Sequence, residues 1–230
     1  QSPSLENPEN YIKIIDRSGF FEVTSFSDDD INRNAMYKAN AQRVKVSKKF
    51  ENYDDYLLSL EMTAEIEEFK SIDLQRITQL TNKSNQFNLT TKRYTQNEIE
   101  KISSDGNYIT LCGRLKDKFG DNGIVSVIIG RKENDILHID LWLMSCRVLK
   151  RNMEYAMLDC LVSEAKLHGI RNIYGYYLKT KKNNMVKSLF SDFGFEKISE
   201  DIEENTVWEM DIKNYIPKNN LITVKQTQKV

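Results

Sequence analysis

From residue 107 onward the chain alternates short apolar runs with turns, in an order that narrows the possible folds sharply. Tyr108-Ile109-Thr110-Leu111-Cys112-Gly113-Arg114-Leu115 reads as a strand, and Phe119-Gly120-Asp121-Asn122-Gly123 as a turn. The β-branched run Ile124-Val125-Ser126-Val127-Ile128-Ile129 reads as a second strand. Lys132-Glu133-Asn134-Asp135 then turns the chain into a long strand over 136–145. A helix is expected over about 152–168, with Met153, Met157, Leu161 and Ala165 at four-residue spacing and Gly169 closing its C-terminus. A strand at 172–177, a helix at 184–192, the stop Phe193-Gly194-Phe195 and a last strand near 206–212 complete the series. Strands followed by interleaved helices predict an α/β (α+β) domain with a mixed central sheet flanked by helices.

The part before residue 71 reads differently. Ser27 followed by Asp28, Asp29 and Asp30 predicts a helix N-cap with acids in its first turn, the helix running to about Arg43. A short helix is expected at 53–60, a strand at 62–66, and a further helix start at Ser71-Ile72-Asp73, with Leu74, Ile77 and Leu80 spaced to face a core. The expected organisation is thus a helical connector over 1–70, the main domain over 71–216 and a mobile polar tail over 217–230. The 33 basic and 34 acidic side chains give a net charge of −1, which argues against a nucleic-acid or membrane-surface protein held by bulk electrostatics. No apolar run approaches the roughly 20 residues needed to span a bilayer. Three cysteines at unpatterned spacings give neither a disulfide framework nor a metal site, so a reducing cytoplasm is the expected setting. The opening Gln1-Ser2-Pro3-Ser4, without an initiator methionine, reads as the start of an excised piece of a longer chain.

One run fits neither a helical nor a strand period. Arg76-Ile77-Thr78-Gln79-Leu80-Thr81-Asn82-Lys83-Ser84-Asn85-Gln86-Phe87-Asn88-Leu89-Thr90-Thr91-Lys92-Arg93-Tyr94 concentrates amides, hydroxyls and cations. At that density they either bind a polar group or tie down a buried turn. The run resembles the signature of the FkbH-like family, whose members load a glyceryl unit onto an acyl carrier protein. Leu143-Met144-Ser145-Cys146-Arg147-Val148-Leu149-Lys150-Arg151 gives a second match in the right order. The element order after residue 107 in turn resembles that of GNAT acyltransferases, in which a central strand splays from its neighbour and an acyl thioester lies in the notch. Together these resemblances imply an acyltransferase that takes a glyceryl unit derived from bisphosphoglycerate and passes it to the phosphopantetheine thiol of an acyl carrier protein. They also imply a haloacid-dehalogenase-like phosphatase domain as an N-terminal partner; its Asp-x-Asp motif is not present in this sequence, since Asp28-Asp29-Asp30 follows Ser27 as a helix start rather than ending an apolar strand.

The resemblance makes Cys146 the candidate nucleophile, against a cysteine that only packs in the core; it lies between a strand and a helix with Arg147, Lys150 and Arg151 close by, a setting that favours the thiolate. Cys112 and Cys160 are expected in the core. Neither histidine reaches Cys146: His138 lies on the order of 26 Å up the same strand, and His168 roughly 24 Å along the following helix. No Cys–His dyad is therefore expected, and His138 with Asp140, on one strand face, is the candidate general base of a GNAT-type reaction, against a purely structural role. The family resemblance makes Asn85, Gln86, Asn88, Thr90 and Arg93 candidate substrate ligands, and Arg147, Lys150, Arg151 and Asn183 candidate contacts for phosphate or pantetheine. GNAT proteins usually carry Arg/Gln-x-x-Gly-x-Gly/Ala after the splayed strand; here the place reads Arg147-Val148-Leu149-Lys150-Arg151-Asn152, without glycine, which favours a singly phosphorylated pantetheine over acetyl-CoA. Two further readings stand beside the first: an acetyl-CoA-dependent N-acetyltransferase, and a docking module without catalysis that recruits carrier protein.

Overall fold

A computed structural model describes residues 33–225, and the expected N-cap at Ser27–Asp30 lies outside them. The chain divides into two compact units, Gln1–Ala41 and Gln42–Val230. The first element is α1 (Arg33–Ser47), followed by α2 (Tyr53–Ser59), whose start is fixed by the Asn52 side chain accepting from the Asp54 amide at 2.9 Å. Then come β1 (Thr63–Glu67) and a 3-10 turn at Ser71–Asp73 leading into α3 (Leu74–Lys83), which buries Leu74, Ile77 and Leu80 as the spacing predicted. The Asn/Thr run leaves that helix as the two-residue strand β2 (Phe87–Asn88) and enters α4 (Gln96–Ser104). That helix escaped the sequence reading, although Thr95 and Glu98 form a capping box and mark its start.

The three long strands β3 (Tyr108–Asp117), β4 (Gly120–Glu133) and β5 (Ile136–Met144) form an antiparallel meander. The helix α5 (Met153–Leu167) crosses the sheet to β6 (Asn172–Tyr177), which pairs parallel to β5. A 3-10 turn at Asn184–Val186, α6 (Leu189–Asp192), β7 (Glu196–Glu200) and β8 (Thr206–Asp211) follow, and β9 (Thr223–Lys225) closes the described chain. The resulting mixed sheet runs β7-β8-β6-β5-β4-β3-β1-β9, with β2 attached to β5.

Two expected boundaries move. Strand β1 is not connector but a member of the main sheet, pairing antiparallel with β3 from Thr63↔Lys116 to Glu67↔Cys112. The polar stretch after Pro217 is not wholly a mobile tail, because Thr223–Lys225 pairs parallel with β1 and Ile222 is buried beside it. The strand at 62–66 was expected, but its place in the main sheet was not, and β9 is too short to show locally; both are fixed only by partners far off in sequence. β7 was missed for a related reason: every one of its residues is exposed, so it shows no apolar alternation.

The sheet has one core on each face. Met153, Met157, Leu161 and Ala165 of α5 pack with Leu137, Ile139, Trp142 and Met144 of β5, and Ile77 and Leu80 of α3 and Ile99 of α4 pack with Leu141 and Leu143. Along β5 the two sets do not simply alternate, because Gly130 pairs with Ile139 and Ile129 with Leu141, leaving Asp140 without a partner. This β-bulge swaps the faces presented by the rest of the strand. Gly175 has a separate reason to be glycine: a Cβ there would stand 2.2 Å from the buried Phe190 ring.

Candidate active site

Strands β5 and β6 pair over only three positions, Ile136↔Asn172 to His138↔Tyr174, before the bulge at Asp140. Beyond it β2 lies along the edge of β5, with Phe87 opposite Met144 and Asn88 opposite Leu143. The Leu89 amide donates to the Trp142 carbonyl at 3.1 Å, and across the gap the Leu178 amide donates to the Leu89 carbonyl at 2.8 Å. The notch between the two parallel strands is thus bridged by the chain's own Phe87–Leu89 segment.

That segment is where most of the Asn/Thr-rich motif is spent. The fully buried Asn183 amide donates to the Asn88 carbonyl at 3.0 Å and to the Leu178 carbonyl at 2.9 Å, and its oxygen accepts from the Thr180 amide at 2.8 Å. The Asn88 side chain accepts from the Thr91 amide at 2.8 Å, where Thr91 takes φ 56°. The Thr90 hydroxyl donates at 2.8 Å to the carbonyl of Asp140, the bulged residue. Arg93 donates to the Thr81 carbonyl, to the Ser84 carbonyl at 3.2 Å and to the Asn85 side chain, closing off the end of α3. Asn88, Thr90 and Asn183 therefore satisfy buried backbone rather than offering groups to a substrate, because a polar segment inside a sheet must be paired. Gln86 remains exposed.

Cys146 is exposed, just beyond the end of β5, in a 3-10 turn spanning Cys146–Val148. The long helix starts only at Met153, so a six-residue turn separates the thiol from it. Within that turn Lys150 and Asn152 adopt φ 64° and 61°, the left-handed backbone that glycine favours. These are the two positions at which the GNAT pattern has Gly and Gly/Ala. The backbone shape survives without the glycines, while the side chains stay.

Arg151 corrects the sequence reading most clearly. It is buried, donating at 3.0 Å to Asp117 at the end of β3 and at 2.9 Å to the Arg147 carbonyl. Asp117 also takes a bidentate pair from Arg43, at 2.8 and 2.9 Å. A guanidinium committed in this way is not free for a phosphate. Lys150 is exposed and Arg147 half-buried.

His138 stands at the opposite end of β5 from Cys146, so no Cys–His pair forms. Its Nδ1 lies 2.7 Å from the Tyr176 hydroxyl on β6, and its Nε2 faces Glu133 at 3.5 Å. Those partners put the imidazole proton on Nε2 and let Nδ1 accept from the phenol. Burial, reinforced by Arg131, holds the imidazole below its usual pKa, so it stays neutral to lower pH than an ordinary histidine. The Asp140 carboxylate is held between Lys92 at 3.2 Å and Arg131 at 3.5 Å and acts on the imidazole only through its charge. Tyr176 is the member of this group that sequence reasoning missed; only the parallel pairing of β5 and β6 brings it to His138.

Cys112 is buried and Cys160 half-buried, whereas Cys146 is exposed. Burial pushes Cys112 up to about 12 and Cys160 up to about 11. Iodoacetamide applied to the native protein at about pH 8 is expected to label Cys146 alone, since Cys146 is exposed while burial both shields Cys112 and Cys160 and keeps them as thiols. Mass spectrometry of tryptic peptides reads the pattern, and labelling of Cys112 before Cys146 would contradict it.

A mixed sheet with a meander, a parallel β5–β6 pair that parts at a bulge, and a helix following a left-handed turn defines a GNAT-like fold. Among solved structures the chain is similar to the ribosomal-protein-S18-alanine N-acetyltransferase from Escherichia coli, at 11% identity over 67% of this chain and 99% of that chain, with TM-score 0.50. It is similar also to a domain from Methanocaldococcus jannaschii (15% identity, 65% of this chain and 99% of that one, TM-score 0.51). The GNAT domain of S. lividans PAT matches at 12% identity, over 64% of this chain and 89% of that one, with TM-score 0.50. At such identities the likeness is one of fold. No family model and no curated protein matches the chain. Among the described residues there is no group of side chains placed to hold a metal ion, and no helix long and apolar enough to cross a membrane.

Proposed function

We propose that this chain is an acyltransferase that holds a glyceryl unit as a thioester on Cys146 and passes it to the phosphopantetheine thiol of an acyl carrier protein. The observation that carries this reading is an exposed thiol at the rim of a GNAT-like notch whose interior is already bridged by β2. Against an acyl-CoA arm threaded between β5 and β6 stands the bonding of the β5 edge at Trp142–Met144 to Phe87–Leu89. A thiol outside the notch needs no such track. The two motif resemblances supply the identity of the acyl group and of the carrier.

The chemistry is acyl transfer through a Cys146 thioester. The Cys146 sulfur attacks the carbonyl carbon of the bisphosphoglycerate-derived acyl phosphate; a new S–C bond forms as the C–O bond to phosphate breaks, and phosphate leaves with the proton that Cys146 gave up, whereas from a surrogate thioester the C–S bond breaks and the thiol leaves with that proton. The pantetheine thiol then attacks the Cys146 thioester carbonyl; its S–C bond forms as the Cys146 S–C bond breaks, and its proton passes to the freed Cys146. Incubation with the glyceryl thioester of N-acetylcysteamine is expected to give an intact-mass adduct that maps to Cys146 and is missing from Cys146→Ser. Acyl transfer at the wild-type rate by Cys146→Ser would reject the covalent route.

One observation favours a second reading, direct acyl transfer to an amine. The His138 imidazole, held below its usual pKa by burial and hydrogen-bonded to the Tyr176 hydroxyl, is placed to take a proton from an acceptor. Because the imidazole pKa is lowered, a rate that depends on it should hold as pH falls through the ordinary histidine range and drop only below it. Calorimetry with acetyl-CoA separates the readings: tight binding supports the amine acceptor, and no heat supports Cys146.

A further inference from the structure

The acyl transfer leaves one buried charged cluster unused, and that cluster ends on the turn that bears the thiol. Asp117 receives four hydrogen bonds: the Arg43 pair at 2.8 and 2.9 Å, Arg151 Nη1 at 3.0 Å and the Phe119 amide at 2.9 Å. Its side chain is fully buried, and those of Arg43 and Arg151 nearly so. Arg151 Nη2 then donates at 2.9 Å to the carbonyl of Arg147, the residue directly after Cys146. Four further bonds hold the same turn. The Val148 amide donates to the Ser145 carbonyl at 3.2 Å, the Arg151 amide to the Val148 carbonyl at 3.3 Å, and the Arg147 amide to the Ser145 hydroxyl at 3.4 Å. The Tyr53 hydroxyl donates to the Lys150 carbonyl at 2.8 Å.

This turn has to be held. Lys150 sits in left-handed backbone that a lysine disfavours, next to Asn152 in the same region, which asparagine tolerates, so without tertiary anchors the segment would relax at Lys150 to other conformations. The anchor is unusually rigid, because a carboxylate at the end of β3, bonded four ways, does not shift to follow a loop. We infer that Arg151 is a positioning residue: it carries the fixed position of Asp117 to the Arg147 carbonyl and so holds the Cys146 thiol in one orientation at the rim of the notch. The role rests on the acyl-enzyme reading of Cys146. It replaces the phosphate contact that the sequence suggested for this arginine, and it explains why the guanidinium faces inward from a turn that otherwise faces solvent.

Arg151→Met tests this without dismantling the cluster, since Arg43 and Asp117 remain as a bidentate one-to-one pair. Two measurements on the 230-residue chain read the result. Hydrogen exchange of the peptide covering 146–152 should quicken about ten-fold in the variant, with α5 unchanged. In single-turnover loading from the glyceryl thioester of N-acetylcysteamine, the maximal rate should fall by about 10- to 100-fold with little change in the half-saturating concentration, the pattern of a misplaced nucleophile. Arg151→Lys should recover only part of the rate, because an ammonium lacks the fork that reaches Asp117 and the Arg147 carbonyl together. Unchanged exchange in the turn overturns the inference whatever the rate does, and so does wild-type loading by Arg151→Met. A wild-type chain that never acylates at Cys146 overturns the acyl-enzyme reading instead, and the exchange measurement, which needs no substrate, keeps the two failures apart.

Discussion

Asp117→Asn is expected to lower the stability of the unit that begins at Gln42 by about 3–5 kcal/mol, because it leaves two buried guanidiniums facing a neutral amide. Asp117 is the only carboxylate bonded to either guanidinium among the described residues. Asparagine keeps the shape and one acceptor oxygen but none of the charge. The second oxygen becomes an amide whose protons point at the Arg43 fork, so a bidentate pair turns into a clash of donors. Urea titration followed by circular dichroism reads the loss as a lower midpoint with an unchanged slope. A midpoint within experimental error of wild type would mean that the cluster is wetter than its burial indicates. Arg151→Met should cost clearly less, since it leaves a matched pair.

Asn183→Ala is the second substitution with a large expected effect, about 3 kcal/mol. Its amide donates to two carbonyls from different elements, Asn88 on β2 and Leu178 after β6, while its oxygen takes the Thr180 amide. All three partners lose their bond at once in an interior too tight for alanine to bring in compensation, and each orphaned buried group costs about 1–3 kcal/mol, with partial relaxation. The damage should be local in its first stage. Hydrogen exchange should rise in 85–91 and 176–184 before the β3–β4 meander responds, because the lost bonds tie β2 to the far side of the notch. Uniform loss of protection across the sheet would show instead that β2 is integral to the main cooperative unit.

The same residues mark how far the sequence reading reached. The run of amides and hydroxyls at 76–94 stood out, and the choice between substrate ligands and a buried tie was visible in it. Asn88 and Thr90 pair with backbone inside the fold, and so does Asn183, which stood as a candidate phosphate or pantetheine contact. Asn183 lies 95 positions from its partner Asn88, and Thr90 lies 50 from Asp140, so no local pattern announces either contact. Arg151 misled for a similar reason. A basic residue near a strand-to-helix turn looks solvated until β3 delivers Asp117 from 34 positions away. The capping box at Thr95 and Glu98 is the opposite case, a signal that was local and legible but went unread.

What the amino-acid order determined on its own is everything that depends on near neighbours. The apolar runs of β3 to β6, the four-residue spacing on α5 and the glycine after that helix set the elements, and the elements restrict the chain to a mixed sheet with helices on its faces. Tertiary structure alone decided where the ladder breaks and what enters the break. The unpaired residue at Asp140, the bridging of the notch by Phe87–Leu89, the inward turn of Arg151 and the exposure of Cys146 are settled by pairing energies between distant segments. Periodicity reports which side of an element is apolar, but a bulge, a buried ion pair and an edge occupied by another strand depend on which partner arrives, and that follows only from satisfying every buried polar group at once.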